Sequence, residues 1–226
     1  MACCLNSLTT SEVTQARAQR IFLARHGQST ANLEQRISGQ IDFPLSEKGR
    51  NQALWLCDVL QHESLSAIYS SSLSRAVETA RPTADSHGLE IRALDALKEI
   101  HFGILQARAI DEMDVAASCM WQERSLAKQA YQIPGGEAFT EFENRINKCL
   151  GNILENLSGT ALIVAHRNSN EVILARLLSL GSAADLNINV KNKYLYDIEL
   201  TEPPRVTTLR LGGERHGQKY AGLKSD

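Results

Sequence analysis

The tetrapeptide Arg-His-Gly-Gln occurs twice in this 226-residue chain, at Arg25-His26-Gly27-Gln28 and at Arg215-His216-Gly217-Gln218. Histidine titrates near neutral pH and serves as base, donor or nucleophile, while arginine is a permanent cation whose planar fork suits oxyanions. Context separates the two copies. The first follows Ile21-Phe22-Leu23-Ala24, an apolar run without alternation, as in a strand covered on both faces of a parallel sheet. The second follows Leu211-Gly212-Gly213-Glu214 and precedes a polar ending. The candidate chemistry therefore belongs to Arg25-His26, and His216 is expected in a frayed, solvated tail. A further histidine, His166, closes another unbroken apolar run, Ala161 to Ala165, just as His26 follows the first.

The elements that would carry these residues alternate between short apolar or β-branched runs and longer helical patterns, which is the grammar of an α/β fold. In open α/β sheets ligands bind beyond the carboxyl ends of the strands, where His26 and His166 both fall. Ser46 predicts an N-cap for a helix with Leu56, Val59 and Leu60 at helical spacing. A short strand around Ala67 to Tyr69 leads through a serine-rich turn into a helix from near Ser74, which Pro82 is expected to end or kink. A strand follows around Leu89 to Leu94, then a mostly helical insertion from about Gln106 to Tyr131 and a turn at Pro134-Gly135-Gly136. From Thr140 an amphipathic helix aligns Phe142, Ile146, Cys149, Leu150, Ile153, Leu154 and Leu157. Near the end, Tyr194, Tyr196 and Ile198 alternate as one face of a strand, although Asn192, Lys193 or Tyr194 could also border a site. The chain divides into an N-terminal extension (1–19), one domain (20–212) and a polar tail (213–226).

Composition narrows the partners. With 24 basic and 26 acidic residues the formal charge is −2, which argues against a general nucleic-acid or anionic-membrane binder while permitting a local basic pocket. The five cysteines, Cys3, Cys4, Cys57, Cys119 and Cys149, are odd in number and scattered, so they indicate neither a disulfide framework nor a zinc site. A cytoplasmic location fits best. The first twenty residues lack the apolar core of a signal peptide, and the Cys3-Cys4 pair carries no lipidation mechanism by itself. Oligomeric state is not legible, and a homodimer is compatible with the sequence.

Six ordered segments, "RHGQSTAN", "SGQIDFPLSEKGRNQA", "YSSSLSRAVETA", "LKEIHFG", "PGGEAFTEFENR" and "ALIVAH", resemble the motifs of the histidine phosphatase superfamily, also called phosphoglycerate mutase-like, and specifically its phosphatase branch. The resemblance implies a three-layer α/β sandwich with a mostly parallel central sheet flanked by helices and a helical insertion near the active site. It also implies hydrolysis of a small phosphorylated metabolite through a phosphohistidine, without metal or other cofactor. In that reading His26 is the nucleophile, held neutral by neighbouring guanidiniums and fixed in tautomer by a backbone carbonyl. Arg25 and Arg75 grip the phosphoryl oxygens, His166 donates to the transferring group, and Glu99 is the general acid. Gly27, Gln28 and Asn32 are expected at the substrate, Gly27 because it lets the backbone pass close to the ligand.

Two departures bear on the substrate. Arg167 follows the second histidine where relatives commonly have glycine, and it faces either the pocket or solvent. Gln28 stands where many relatives have Glu, which makes the pocket less anionic. Glu137 in "PGGEAF" reads as a helix N-terminal charge or as a substrate contact. Two other functions stay open: a mutase that returns the phosphoryl group to a second hydroxyl, and a docking protein that keeps the fold without turnover.

Overall fold

The computed structural model describes residues 19–186 and 188–225. The N-terminal extension, apart from Gln19, and the Cys3-Cys4 pair lie outside the described residues. Seven strands form one sheet: β1 (Arg20–Arg25), β2 (Leu65–Ser71), β3 (Ile91–Leu94), β4 (Thr160–Ala165), β5 (Tyr194–Glu199), β6 (Arg205–Arg210) and β7 (Lys219–Ala221). Their order is β3-β2-β4-β1-β5-β6-β7. The first four strands are parallel, whereas β5, β6 and β7 extend the sheet antiparallel from β1.

Among the described residues six α-helices accompany them: α1 (Thr30–Leu33), α2 (Glu47–Leu60), α3 (Ser74–His87), α4 (Val115–Leu126), α5 (Phe139–Glu155) and α6 (Arg167–Leu177). Because strand side chains alternate faces, β1 sends Ile21 and Leu23 to one core and Phe22 and Ala24 to the other. The first core is completed by α5 and α6 through Phe142, Ile146, Leu150, Ile173 and Leu174. The second is completed by α2 and α3 through Leu56, Leu60, Ala76, Ala80 and Ala84. A strand covered on both faces has no reason to alternate polar and apolar residues, which is why "IFLA" and "ALIVA" are unbroken. The three-layer α/β architecture follows from that double burial.

Local chemistry sets several boundaries. Ser46 caps α2, its hydroxyl accepting from the Gly49 N–H at 3.1 Å. The α5 pattern buries Phe142, Ile146, Cys149, Leu150 and Ile153, with Leu157 just past the helix end. Pro82 does not end α3, which runs on to His87 and stops at Gly88 in the left-handed conformation, φ 63°. Pro82 is half-buried and Glu78, whose carbonyl loses its helical donor, is exposed; water can reach that turn while the buried Ala76, Ala80 and Ala84 hold the helix to the sheet. The insertion is less helical than its composition suggests: residues 103–105 and 110–112 form short 3₁₀ turns, and only α4 is a sustained helix.

The tail is not frayed. Strand β7 pairs with β6, and His216 accepts from the Gly212 N–H at 2.9 Å while its Nε2 meets Asp58 Oδ2 of α2 at 2.9 Å. Its ring also lies 6.3 Å from that of Trp55. Among the described residues no helix is long and apolar enough to cross a membrane.

Candidate active site

Parallel pairing brings the two histidines together. In the β1–β4 ladder Arg25 lies opposite Ala165, and the His26 N–H donates to the Ala165 carbonyl at 2.9 Å. The next residue on each strand is therefore a histidine at the carboxyl edge, with ring centroids 5.1 Å apart. His166 is also the N-cap residue of α6. Both rings are buried, His26 at 4% exposure and His166 at 0%.

Each ring is oriented by one bond. His26 Nδ1 meets the Gly27 carbonyl at 2.7 Å. A carbonyl can only accept, so Nδ1 carries the proton and the neutral ring keeps its lone pair on Nε2. His166 Nε2 shares a 2.8 Å hydrogen bond with the Ser71 hydroxyl at the end of β2, and its Nδ1 has no partner among the described residues. Burial, then Arg75 and Arg25, push the His26 ring well below the usual imidazole range, outweighing the Gly27 bond that pulls it up. His166 is depressed in the same direction, by burial first and then by Arg75, His26 and Arg25.

The cations come from two elements. Arg25, the last residue of β1, donates through Nη1 to the Val190 carbonyl at 3.0 Å. Burial pulls its guanidinium down to about 10, against the attraction of Glu99. Arg75 sits in the first turn of α3, only 1% exposed, with Nη1 and Nη2 on the carbonyls of Ile41 and Gly39 at 2.8 and 2.7 Å. Burial lowers it too, while Glu99 and Asp42 pull it up. In both arginines Nε lacks a partner among the described residues. The forks are thus anchored at their tips, with donors left for a ligand.

Glu99 follows β3 and a 3₁₀ turn over Asp95–Leu97. Its carboxylate accepts from the N–H groups of Ile100 at 3.0 Å and Asn168, in the first turn of α6, at 3.3 Å. The segment carrying it is braced by Arg145, which donates to the carbonyls of Ala96 and Lys98 at 2.8 and 3.1 Å and is itself gripped by Glu137 at 2.8 and 2.9 Å. Glu137 therefore acts at a distance from the cavity, as the counter-charge of a brace.

Arg25, His26, Asn32, Arg75, Glu99 and Arg167 line one cavity of about 620 Å³, inside the range of small-ligand sites. His166 lies behind His26 rather than on the cavity wall. Asn32 sits in a capping box with Ser29: its Oδ1 accepts from the Ser29 N–H at 3.2 Å, which turns its NH₂ group free as a donor. Arg167 lines the cavity and pairs with Glu171 at 3.2 Å. Gly27 and Gln28, expected at the substrate, face α2 instead. A Cβ on Gly27 would stand 2.4 Å from the Gly49 carbonyl oxygen, so the close approach that requires glycine is to backbone, not to a ligand. Gln28 Oε1 accepts from the Ser46 hydroxyl at 3.0 Å. His216 is not among the cavity residues.

Sequence reasoning missed Arg124, Lys128 and Glu171 on the cavity wall, and Ser71 behind it. Asn192, a candidate for the cavity mouth, instead lies behind the wall and donates its side-chain amide to the His26 carbonyl. Among the described residues no three His, Cys, Asp or Glu side chains are grouped so as to hold a metal ion.

Residues 21–210 match the family model described as the histidine phosphatase superfamily, branch 1. Curated relatives named "Probable phosphoglycerate mutase GpmB", from Yersinia pestis and Yersinia pseudotuberculosis, are 31% identical over 187 residues, 82% of this chain and 86% of theirs. Among solved structures, the Shigella flexneri alpha-ribazole phosphatase superposes with a TM-score of 0.73 at 26% identity, covering 91% of this chain and 99% of its own. The mycobacterial glucosyl-3-phosphoglycerate phosphatase, solved with VO3, gives 0.71 at 26% identity, covering 84% and 97%.

Proposed function

The chain belongs to the histidine phosphatase superfamily, branch 1, and from that premise we propose that it is a phosphomonoester hydrolase that acts on a small phosphorylated metabolite through a phosphohistidine, without a metal. The observation that carries the reading is the bond from His26 Nδ1 to the Gly27 carbonyl, which leaves the Nε2 lone pair available in a ring kept neutral by burial and two guanidiniums.

In the first step His26 Nε2 forms a bond to phosphorus as the ester oxygen leaves, and Glu99 gives that oxygen its proton. Arg25 and Arg75 offset the charge gathering on the equatorial oxygens, and the Asn32 NH₂ adds a donor, while His166 stands beside His26 off the cavity wall. In the second step Glu99 takes a proton from water, the hydroxyl oxygen bonds to phosphorus, and the N–P bond breaks to return neutral His26 and inorganic phosphate.

A mutase reading is favoured by one finding, the name of the 31% identical relatives. It shares the first step and differs in the acceptor, a second substrate hydroxyl instead of water. One experiment separates the two. Purified protein is incubated with p-nitrophenyl phosphate in EDTA, then with 3-phosphoglycerate and a bisphosphate primer. Release of inorganic phosphate in both supports the hydrolase; isomer without free phosphate replaces it with the mutase; no turnover of either leaves the docking role.

A further inference from the structure

A second cavity, of about 720 Å³, opens beside the segment that leads to Glu99 and shares no wall residue with the phosphoryl cavity. It lies between α5 and the strands β2 and β3, the latter an edge of the sheet. Its floor is apolar, made by Tyr69, Leu94, Ala96, Cys149 and Ile153. Burial pushes the Cys149 thiol up, against the pull of Arg145, so the sulfur sits in that floor as a neutral, weakly polar group. The Tyr69 hydroxyl accepts from Arg92 at 3.1 Å, and the same guanidinium lies 5.5 Å from the Tyr69 ring centroid.

The rim is cationic. Arg92, Arg145 and Lys148 line it, against one carboxylate, Asp95. Asp95 is already held by Lys98 at 3.0 Å and by the Ser72 hydroxyl, and Arg145 is held by Glu137 at 2.8 Å. Lys148 has Asn144, Arg145, Gly151 and Asn152 three and four residues away, so its own helix gives it no acidic neighbour. Glu90, two residues before Arg92, and Glu155, on α5, are exposed and outside the lining. With the direct partners of the wall counted, four cations meet two carboxylates, and the unmatched pair is Arg92 and Lys148.

An apolar floor under unmatched cations selects one chemistry. A neutral apolar molecule leaves the rim without a counter-charge, and a compact polar anion leaves the floor in water. We infer that this cavity is a second ligand site, for a small apolar molecule bearing one acidic group, its body on the floor and its anion at the Arg92 and Lys148 rim. Such an occupant has a route to the active site. Arg145 lines the cavity and holds the carbonyls of Ala96 and Lys98, in the turn that leads to Glu99. An added anion draws on the same guanidinium and weakens that hold, so the occupant inhibits without entering the phosphoryl cavity.

The probe is 8-anilinonaphthalene-1-sulfonate, with the neutral N-phenyl-1-naphthylamine as its counterpart; both brighten in apolar surroundings. In a fluorescence titration of the full chain the sulfonate should bind one site per chain, about fivefold tighter than the neutral dye, the upper range for an exposed ion pair. The preference should vanish when Arg92→Gln and Lys148→Gln are combined, and vanadate should not displace the dye. Asn152→Glu, which places a carboxylate at an exposed rim position of α5, should weaken the sulfonate alone, and it decides the matter if the double variant misfolds. Equal affinity for the two dyes, a preference that survives the substitutions, or displacement by vanadate overturns the site. Dye binding that appears only as a dimer dissociates in sedimentation gives the cavity to a second copy of the chain and overturns it as well.

The inhibition rests on the phosphatase reading, whereas dye binding does not. Bound sulfonate should lower kcat for an alkyl phosphate at least about threefold, as for one weakened hydrogen bond, with KM within about twofold. It should largely spare p-nitrophenyl phosphate, which needs the Glu99 proton least. An unchanged kcat at saturating dye overturns the route through Arg145. If neither phosphomonoester is hydrolysed, the phosphatase reading falls while the titration still decides the site.

Discussion

Asn192 donates its side-chain amide to the backbone carbonyl of His26 at 2.5 Å, across 166 residues of sequence. Two residues earlier the Val190 carbonyl accepts from Arg25. One short segment before β5 thus holds both halves of the Arg-His pair. Asn192 is not among the cavity residues, and its bond is to the His26 backbone rather than to the ring, so it acts by positioning the backbone on which the ring is hung.

Loss of that donor should show in turnover more than in binding. Asn192→Ala is expected to lower kcat about tenfold, the equivalent of one hydrogen bond, with KM within about twofold. A merely structural role would instead lower the fraction of active protein and leave kcat per phosphoenzyme unchanged. Burst-phase titration of phosphoenzyme separates the two.

The duplicate tetrapeptide allows a controlled comparison within one chain. His26→Ala should abolish acid-quenched phosphoenzyme, because His26 is the histidine on the cavity wall and its bonding presents a ring lone pair. His216→Ala should leave turnover within a few-fold. Its losses are a half-exposed contact to Asp58 and the bond from Gly212, together about 1 to 2 kcal/mol of stability. Comparable loss of phosphoenzyme in both variants would reverse the assignment.

Much of this site is legible in the chain before folding. Arg25, His26 and His166 are legible because an unbroken apolar run marks a doubly covered strand, and the residues at the carboxyl end of such a strand fall at the ligand-binding edge. Ser46 is legible because capping is local. Arg124 is not: α4 turns Ala117, Met120 and Trp121 toward the core, and an arginine at the end of such a stripe reads as a side chain whose head reaches solvent. Asn192 and Ser71 act through contacts made across 166 and 95 residues, which no spacing rule reaches. At Pro82 local propensity points to a helix end, whereas packing of the α3 alanines against the sheet decides otherwise. The tail departs from expectation for a related reason: β7 is three residues long and owes its order to pairing with β6.

Glu99→Gln tests the proton that the ester oxygen needs. The amide keeps one acceptor for the N–H groups of Ile100 and Asn168 but cannot protonate a leaving alkoxide. With an alkyl phosphate the loss in kcat should reach about a hundredfold or more, whereas with p-nitrophenyl phosphate, whose leaving group is weakly basic, it should stay within a few-fold. Plotting log kcat against leaving-group pKa should give a steeper negative slope for the variant. Parallel lines would take Glu99 out of the acid role.

The two buried histidines make stability depend on pH with a definite sign. In the unfolded chain each ring takes a proton near the ordinary value of 6.5, whereas in the fold both lie well below it. Between those limits the unfolded chain binds more protons, so stability rises with pH: it is complete above about 6.5 and is lost as pH falls toward the folded values. Each ring contributes a slope of up to about 1.4 kcal/mol per pH unit. Urea unfolding of the unliganded protein at about pH 7.5, 6.5 and 5.5 should show the decline setting in below about 6.5, ahead of the carboxylate range. His166→Asn, which removes one titrating ring while keeping a polar side chain, should flatten the decline by about one proton. A curve flat from about pH 7.5 to 5.5, or a slope unchanged in His166→Asn, would mean that these rings accept protons in the folded state, and the neutral nucleophile would have to be abandoned with them.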